Sequence, residues 1–238
     1  MKYDEFLHTI PDSRMDICRN VFLEYRDKIK IKKEKTIIKN LEKIFKVTLR
    51  IGIDKGFQAM TMRDLSSTSN LSMGALYSYF SSKEEILRVF LSEGRKIISQ
   101  ILVELIEKEK EPVAKLKTAV EVHLFLTEKM HKWFYFSYME AKNLSPEERE
   151  NAVQSELYTE KLIENILIDG DKKGVFAKID HSLAASVIKA MLQDWYLKRG
   201  KYSKRNIDVD HYAEFIMSFI NSFVIVQPVK KSYPQSTV

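Results

Sequence analysis

A single cysteine, Cys18, stands in 238 residues, which excludes an internal disulfide framework and fits a reducing compartment. Glycine and proline are scarce as well, at seven and five. Without those breakers, long runs rich in Lys, Glu, Leu and Ile point to an almost entirely helical chain. No apolar run reaches the roughly 20 residues that a membrane span needs. The nearest, 215–226, is broken by Met217-Ser218 and Asn221-Ser222. The opening MKYDEFLHTIPDS has acids at once and no apolar stretch, so it does not read as a secretory signal. A soluble, cytoplasmic protein is expected. Catalytic signatures are missing too. The five histidines, His8, His123, His131, His181 and His211, form no HExxH or i,i+4 pair, and no cysteine partners exist for zinc. There is no G-x-S-x-G elbow, Walker loop or GxGxxG. Paired acids such as Glu147-Glu148 sit at a helix start, where the dipole accounts for them. Neither an enzyme nor a bound metal or cofactor is expected.

What is present is an uneven distribution of charge. The formal net charge is only +6. Yet Lys28, Lys30, Lys32, Lys33, Lys35, Lys39, Lys43, Lys46 and Arg50 crowd one segment, relieved by Glu34 and Glu42. Such clustering is either a solvated helix face or an electrostatic footprint for a polyanion. Its position favours the polyanion, because it stands just before TMRDLSSTSNLSMGALYSYF, residues 61–80.

That stretch reads as two short helices joined by a tight turn. Thr61 is placed as an N-cap, with Asp64 in the first turn. Asn70-Leu71-Ser72 breaks the period: Asn tolerates left-handed backbone and Ser72 can cap the next helix. The second helix shows Ser72, Gly74, Ala75 and Ser78 beside Tyr77 and Tyr79. A helix whose outer face is small and hydroxyl-bearing can lie deep in a DNA major groove, where tyrosine hydroxyls reach phosphate oxygens.

The run Gly56-Phe57…Thr61-Met62-Arg63-Asp64-Leu65…LSMGALYSYFSSKEEIL resembles the DNA-binding domain of TetR-family transcriptional regulators over roughly 33–90. The Tyr-x-x-Phe-x-x-Lys-Glu tail into a long following helix makes the match specific. Ser67-Thr68-Ser69-Asn70 departs from the family's Ala-Gly pair, and Tyr79 takes a place often held by histidine. The resemblance implies DNA contacts from Thr61, Arg63, Ser72, Met73, Gly74, Ala75, Tyr77, Ser78, Tyr79 and Lys83. Tyr77 and Lys83 are expected at phosphates, and Met73, Ala75 and Ser78 at bases.

Elsewhere, Asp12 or Ser13 can cap a helix with Met15, Cys18, Val21, Phe22 and Tyr25 inward. That stripe must bury against its own chain, the preferred reading, or against a partner. Cys18 reads as a small buried hydrophobe sooner than a redox thiol. Residues 33–55 read as the first DNA-domain helix, with Gly56 as a left-handed C-cap. A helix capped by Ser82 or Ser81 runs to Glu109 or Lys110, and Pro112 opens the next, with a bend near 129–132. Ser145-Pro146-Glu147-Glu148 starts a helix to about Ile168, ended by 169–174. Asp180 or Ser182 and Asp208 start the last two long helices, joined by a polar connector at 198–206.

The fold expected is all-α: an N-terminal three-helix helix-turn-helix domain plus a larger C-terminal helical ligand-binding and dimerisation domain. Its divisions are a helical extension at 1–32, the DNA-binding domain at 33–90, the second domain at 91–227 and a frayed tail at 228–238. Helices 180–197 and 208–226 are apolar on more than one side, which suggests a buried surface beyond the protomer's own core. The resemblance implies that they form a four-helix bundle with a second copy. An aromatic region with a few polar groups, His123, His131, Trp133, Phe134, Tyr138, Gln193, Trp195 and Tyr196, is the candidate pocket for a small hydrophobic effector. The expected function is a ligand-responsive repressor on double-stranded operator DNA. The competing reading is a helical interaction module whose basic face binds a protein or membrane surface.

Overall fold

The computed structural model describes residues 1–10, 13–25, 33–141 and 144–226, the side chains of 13–16 excepted. Asp12, Lys28, Lys30, Lys32, the side chain of Met15 and the tail at 228–238 lie outside the described residues. Twelve α-helices are described: α1 (Tyr3–Thr9), α2 (Ser13–Tyr25), α3 (Glu34–Lys55), α4 (Met62–Ser69), α5 (Met73–Tyr77), α6 (Lys83–Glu107), α7 (Pro112–Lys129), α8 (His131–Glu140), α9 (Pro146–Lys172), α10 (His181–Leu197), α11 (Arg199–Ser203) and α12 (Val209–Val224). None of the described helices is long and apolar enough to cross a membrane.

The helix starts follow local chemistry. Thr61, Ser72, Ser82, Ser145, Asp180 and Asp208 each accept a hydrogen bond from the backbone N–H three residues on, which satisfies one of the orphan donors of a helix N-terminus. At Thr61 the bond is reciprocal, because Asp64 accepts from the Thr61 backbone N–H. Asn70 takes the left-handed conformation, φ 55° and ψ 36°, that turns the chain between α4 and α5. Gly56 also has positive φ, 82°, but its ψ of 148° is extended rather than left-handed helical.

The helix-turn-helix half is α3, α4 and α5 closed from behind by α6. Leu41, Ile44, Phe45, Phe57, Leu65, Leu76, Phe80 and Ile86 are buried between them. α8 locks this half to the rest through aromatic side chains set into glycine notches. A Cβ on Gly52 of α3 would come within 2.3 Å of the Phe136 ring, and one on Gly94 of α6 within 2.4 Å of Trp133. Glu140 at the end of α8 accepts the buried Phe57 N–H at 3.3 Å.

Three elements differ from the sequence reading. α1 precedes the expected extension helix and docks on the second domain. Its Phe6 ring lies 5.5 Å from Phe125 of α7, and the Tyr3 N–H donates to Asp210 of α12 at 2.9 Å. α2 then packs against α3 and α6, and Glu24 pairs with Lys96 at 2.6 Å. α1 and α2 therefore form a strap across both halves, with Cys18 on the buried side of α2. α9 continues to Lys172, because Gly170 is kept for the close approach of Phe176 and not as a stop. Lys173 caps it, and Gly174, φ +71°, turns the chain away. The polar connector contains α11, whose Tyr202 packs on Trp195 and Tyr212.

Candidate nucleic-acid interface and effector region

α5 is a short rod whose inward side is Leu76, fully buried. Its remaining surface is open. Ser72, Gly74 and Tyr77 are exposed, and Met73, Ala75 and Ser78 are half-buried. Tyr77 is 53% exposed, and a Cβ built on Gly74 meets no atom within 4 Å. Nothing inside the protomer requires a glycine there, since its φ is also ordinary. Thr61 and Arg63 are exposed at the start of α4.

The two remaining candidates sit elsewhere. Tyr79 is buried, and its hydroxyl accepts from Asn40 Nδ2 at 2.9 Å, which ties α3 to the end of the turn. Lys83 places its ammonium on backbone carbonyls: Phe57 at 3.2 Å, Gln58 at 2.9 Å and Met60 at 2.9 Å. All three N–H donors are thus engaged, with the charge 4.9 Å from the Phe57 ring centre. Lys83 clamps the loop that carries α3 into α4.

In the second domain, the eight candidate pocket residues separate into groups. His123, Trp133, Phe134 and Tyr196 form one contiguous cluster: Phe134 lies 6.3 Å from His123, 5.2 Å from Trp133 and 5.3 Å from Tyr196, ring centre to ring centre. Trp195 belongs to a different cluster with Tyr202 and Tyr212, and its indole N–H donates to Glu128 at 3.1 Å. Tyr138 is exposed, and Gln193 bonds to Glu156. His131 opens α8 and lines a cleft on the side of α3.

The sequence reading missed the polar centre of this domain. Lys189 of α10 is buried, with Nζ 2.9 Å from His123 Nε2 and 2.9 Å from Thr159 Oγ1. Burial pulls its pKa down to about 8, against the weaker attraction of Glu156 and Glu160. Those carboxylates are turned to Gln193 and Ser186. Burial, then the Lys189 charge, holds His123 well below the usual imidazole range. His123 is therefore neutral, accepts at Nε2, and carries its proton on Nδ1, which has no partner among the described residues. The available signal was one lysine inside the apolar run Val187-Ile188-Lys189-Ala190-Met191-Leu192.

α10 and α12 expose large apolar side chains in line. Leu183 and Val187 are 62% and 50% exposed; Phe215, Phe219 and Phe223 are 64%, 54% and 60%.

Two family descriptions match the chain: "Bacterial regulatory proteins, tetR family" over residues 44–89, and "Tetracyclin repressor-like, C-terminal domain" over 109–220. The chain belongs to the TetR family of transcriptional regulators. Among curated relatives, it is 26% identical over 193 residues to the uncharacterised HTH-type transcriptional regulator YerO of Bacillus subtilis strain 168. That match spans 77% of this chain and 64% of YerO. The fold is shared with a tetR-family regulatory protein from Rhodococcus RHA1, at TM-score 0.70 and 20% identity over 79% of this chain and 98% of that one. It is also shared with AibR, solved in complex with isovaleryl coenzyme A and operator DNA, at TM-score 0.63 and 17% identity over 77% and 97%.

Proposed function

We propose that this TetR-family chain is a cytoplasmic, homodimeric repressor that binds an operator through α5 and is released by a small hydrophobic effector. The observation that carries the reading is the uncovered face of α5, with open space over Gly74 and an exposed Tyr77. A close backbone approach needs a residue without a side chain, and a groove-bound helix needs small hydroxylated neighbours. In this reading Met73, Ala75 and Ser78 face bases, while Ser72, Tyr77, Thr61 and Arg63 hold the sugar-phosphate backbone. Tyr79 and Lys83 support the DNA-binding face from within, since their polar groups are engaged inside the protomer.

Two recognition helices about 34 Å apart, or a multiple of that, require a two-fold dimer. The exposed apolar residues of α10 and α12 supply a surface for it. The effector is assigned to the aromatic cluster of His123, Trp133, Phe134 and Tyr196, where α8 adjoins the glycine notches of α3 and α6. AibR, of the same fold, is a precedent for a regulator that takes both an acyl thioester and DNA. An effector shifts the equilibrium only by its difference in affinity for the operator-bound and released arrangements.

The test is selection of DNA from random genomic fragments by the purified chain, followed by gel shifts at several salt concentrations. Sequence-selective retention, with release by a hydrophobic metabolite, is expected. Weak, uniform retention would favour the interaction-module reading instead.

A further inference from the structure

Between α2, α3 and α8 lies a cleft of about 770 Å³, inside the range of roughly 300–1,000 Å³ typical of small-molecule sites. Its deeper wall is apolar, built from Ile17 of α2, Phe45 of α3 and Trp133 of α8. Its rim is cationic: Lys43, Lys46, Arg50 and Lys132 stand against Glu42 and Asp54. Among the described residues, none of those four cations has a carboxylate partner. One wall comes from the strap, which lies ahead of residue 44, where the family match begins. The cleft is also separate from the His123 cluster, because only Trp133 touches both.

We propose that this cleft is a second ligand site, for an amphipathic anion: an apolar chain carrying a carboxylate or phosphate head. The chain would lie over Leu49 and Ile53, the apolar lining side chains that remain partly exposed in front of the buried Ile17, Phe45 and Trp133, and would remove that surface from water. The head would sit between Lys46, Arg50 and Lys132, whose mutual repulsion an anion relieves. An uncharged ligand of equal length would gain the first effect and not the second. A polar, uncharged ligand would gain neither. The occupant would touch the strap, the first helix of the DNA-binding half and the start of α8 together.

Calorimetric titration of the full chain with decanoate, decyl phosphate and decanol tests this. Both anions are expected to bind saturably, one per protomer, with decanol at least tenfold weaker. Ile53 lines the mouth and is 39% exposed, so Ile53→Asp should fold and yet abolish anion binding. The double variant Lys46→Ala, Arg50→Ala should weaken both anions tenfold or more. Absence of saturable binding, equal affinity for decanol, or full binding by Ile53→Asp would each overturn the proposal. The last outcome would put the ligand outside this cleft, and leave the effector reading standing. A double variant that keeps its anion affinity and loses only operator affinity would make the rim a DNA contact and also overturn it.

Discussion

Lys189 is a buried ammonium whose environment prefers it neutral. Its pKa falls from 10.5 to about 8, so the folded chain gives up its proton before the unfolded chain does. Between pH 8 and 10.5 the unfolded state binds more protons, and stability rises with pH across that window. Below pH 8 both states are charged and the full penalty, about 3 kcal/mol, is present. Lys189→Met should lack this rise. Urea denaturation at pH 7.5 and 9.5 should show the parent gaining on the variant as pH increases; parallel curves would mean that Lys189 is hydrated in solution. Lys83 poses the opposite case, a charge well supplied with acceptors. Lys83→Ala should cost about 1–2 kcal/mol by freeing three carbonyls of the 57–60 loop. Operator affinity should fall without a change in salt slope. A slope lower by about 1 would instead return Lys83 to a phosphate.

At the scale of elements, α5 separates the needs of folding from those of binding. Alanine is a better helix former than glycine by roughly 0.5–1 kcal/mol, and Gly74 has room for the extra methyl. Gly74→Ala should therefore leave the melting temperature equal or higher while lowering operator affinity tenfold or more. Unchanged affinity would remove Gly74 from the DNA contact. The same comparison explains what could be read from the sequence. Caps at Thr61, Ser72, Ser82, Ser145, Asp180 and Asp208 are local, since each bond spans three residues, and so the starts of their helices were legible. α1 was not, because its N-cap is Lys2, without a side-chain cap bond, and its single buried residue, Phe6, packs on Phe125 of α7, far along the chain. The stop read over 169–174 falls late in that stretch, because Gly170 stays helical against the Phe176 ring, which the turn at Gly174 brings there. The candidate pocket was read from aromatic spacing, which cannot separate Trp195 from Phe134. The Lys189–His123 contact joins residues 66 apart in sequence, and only the packing of α7 against α10 brings them together.

For the whole molecule, the question is what covers α10 and α12. An exposed phenylalanine is ordinary when single. Phe215, Phe219 and Phe223 recur every four residues, each more than half exposed, and Leu183 and Val187 repeat the pattern on α10. Spacing of four places them on one stripe of each helix. A two-fold contact is self-complementary, so a stripe that is apolar along its length can meet its own copy without unpaired charge. Phe219→Asp would set two carboxylates near the axis of such a contact, while leaving the protomer's own core untouched. Sedimentation velocity at micromolar concentration should show a dimer for the parent and a monomer for the variant, with helical content by circular dichroism unchanged. Operator affinity should drop at least a hundredfold, because one α5 then binds one half-site without its twin. A variant that remains dimeric would exclude this stripe as the interface and leave the spacing of the recognition helices to be set by another surface.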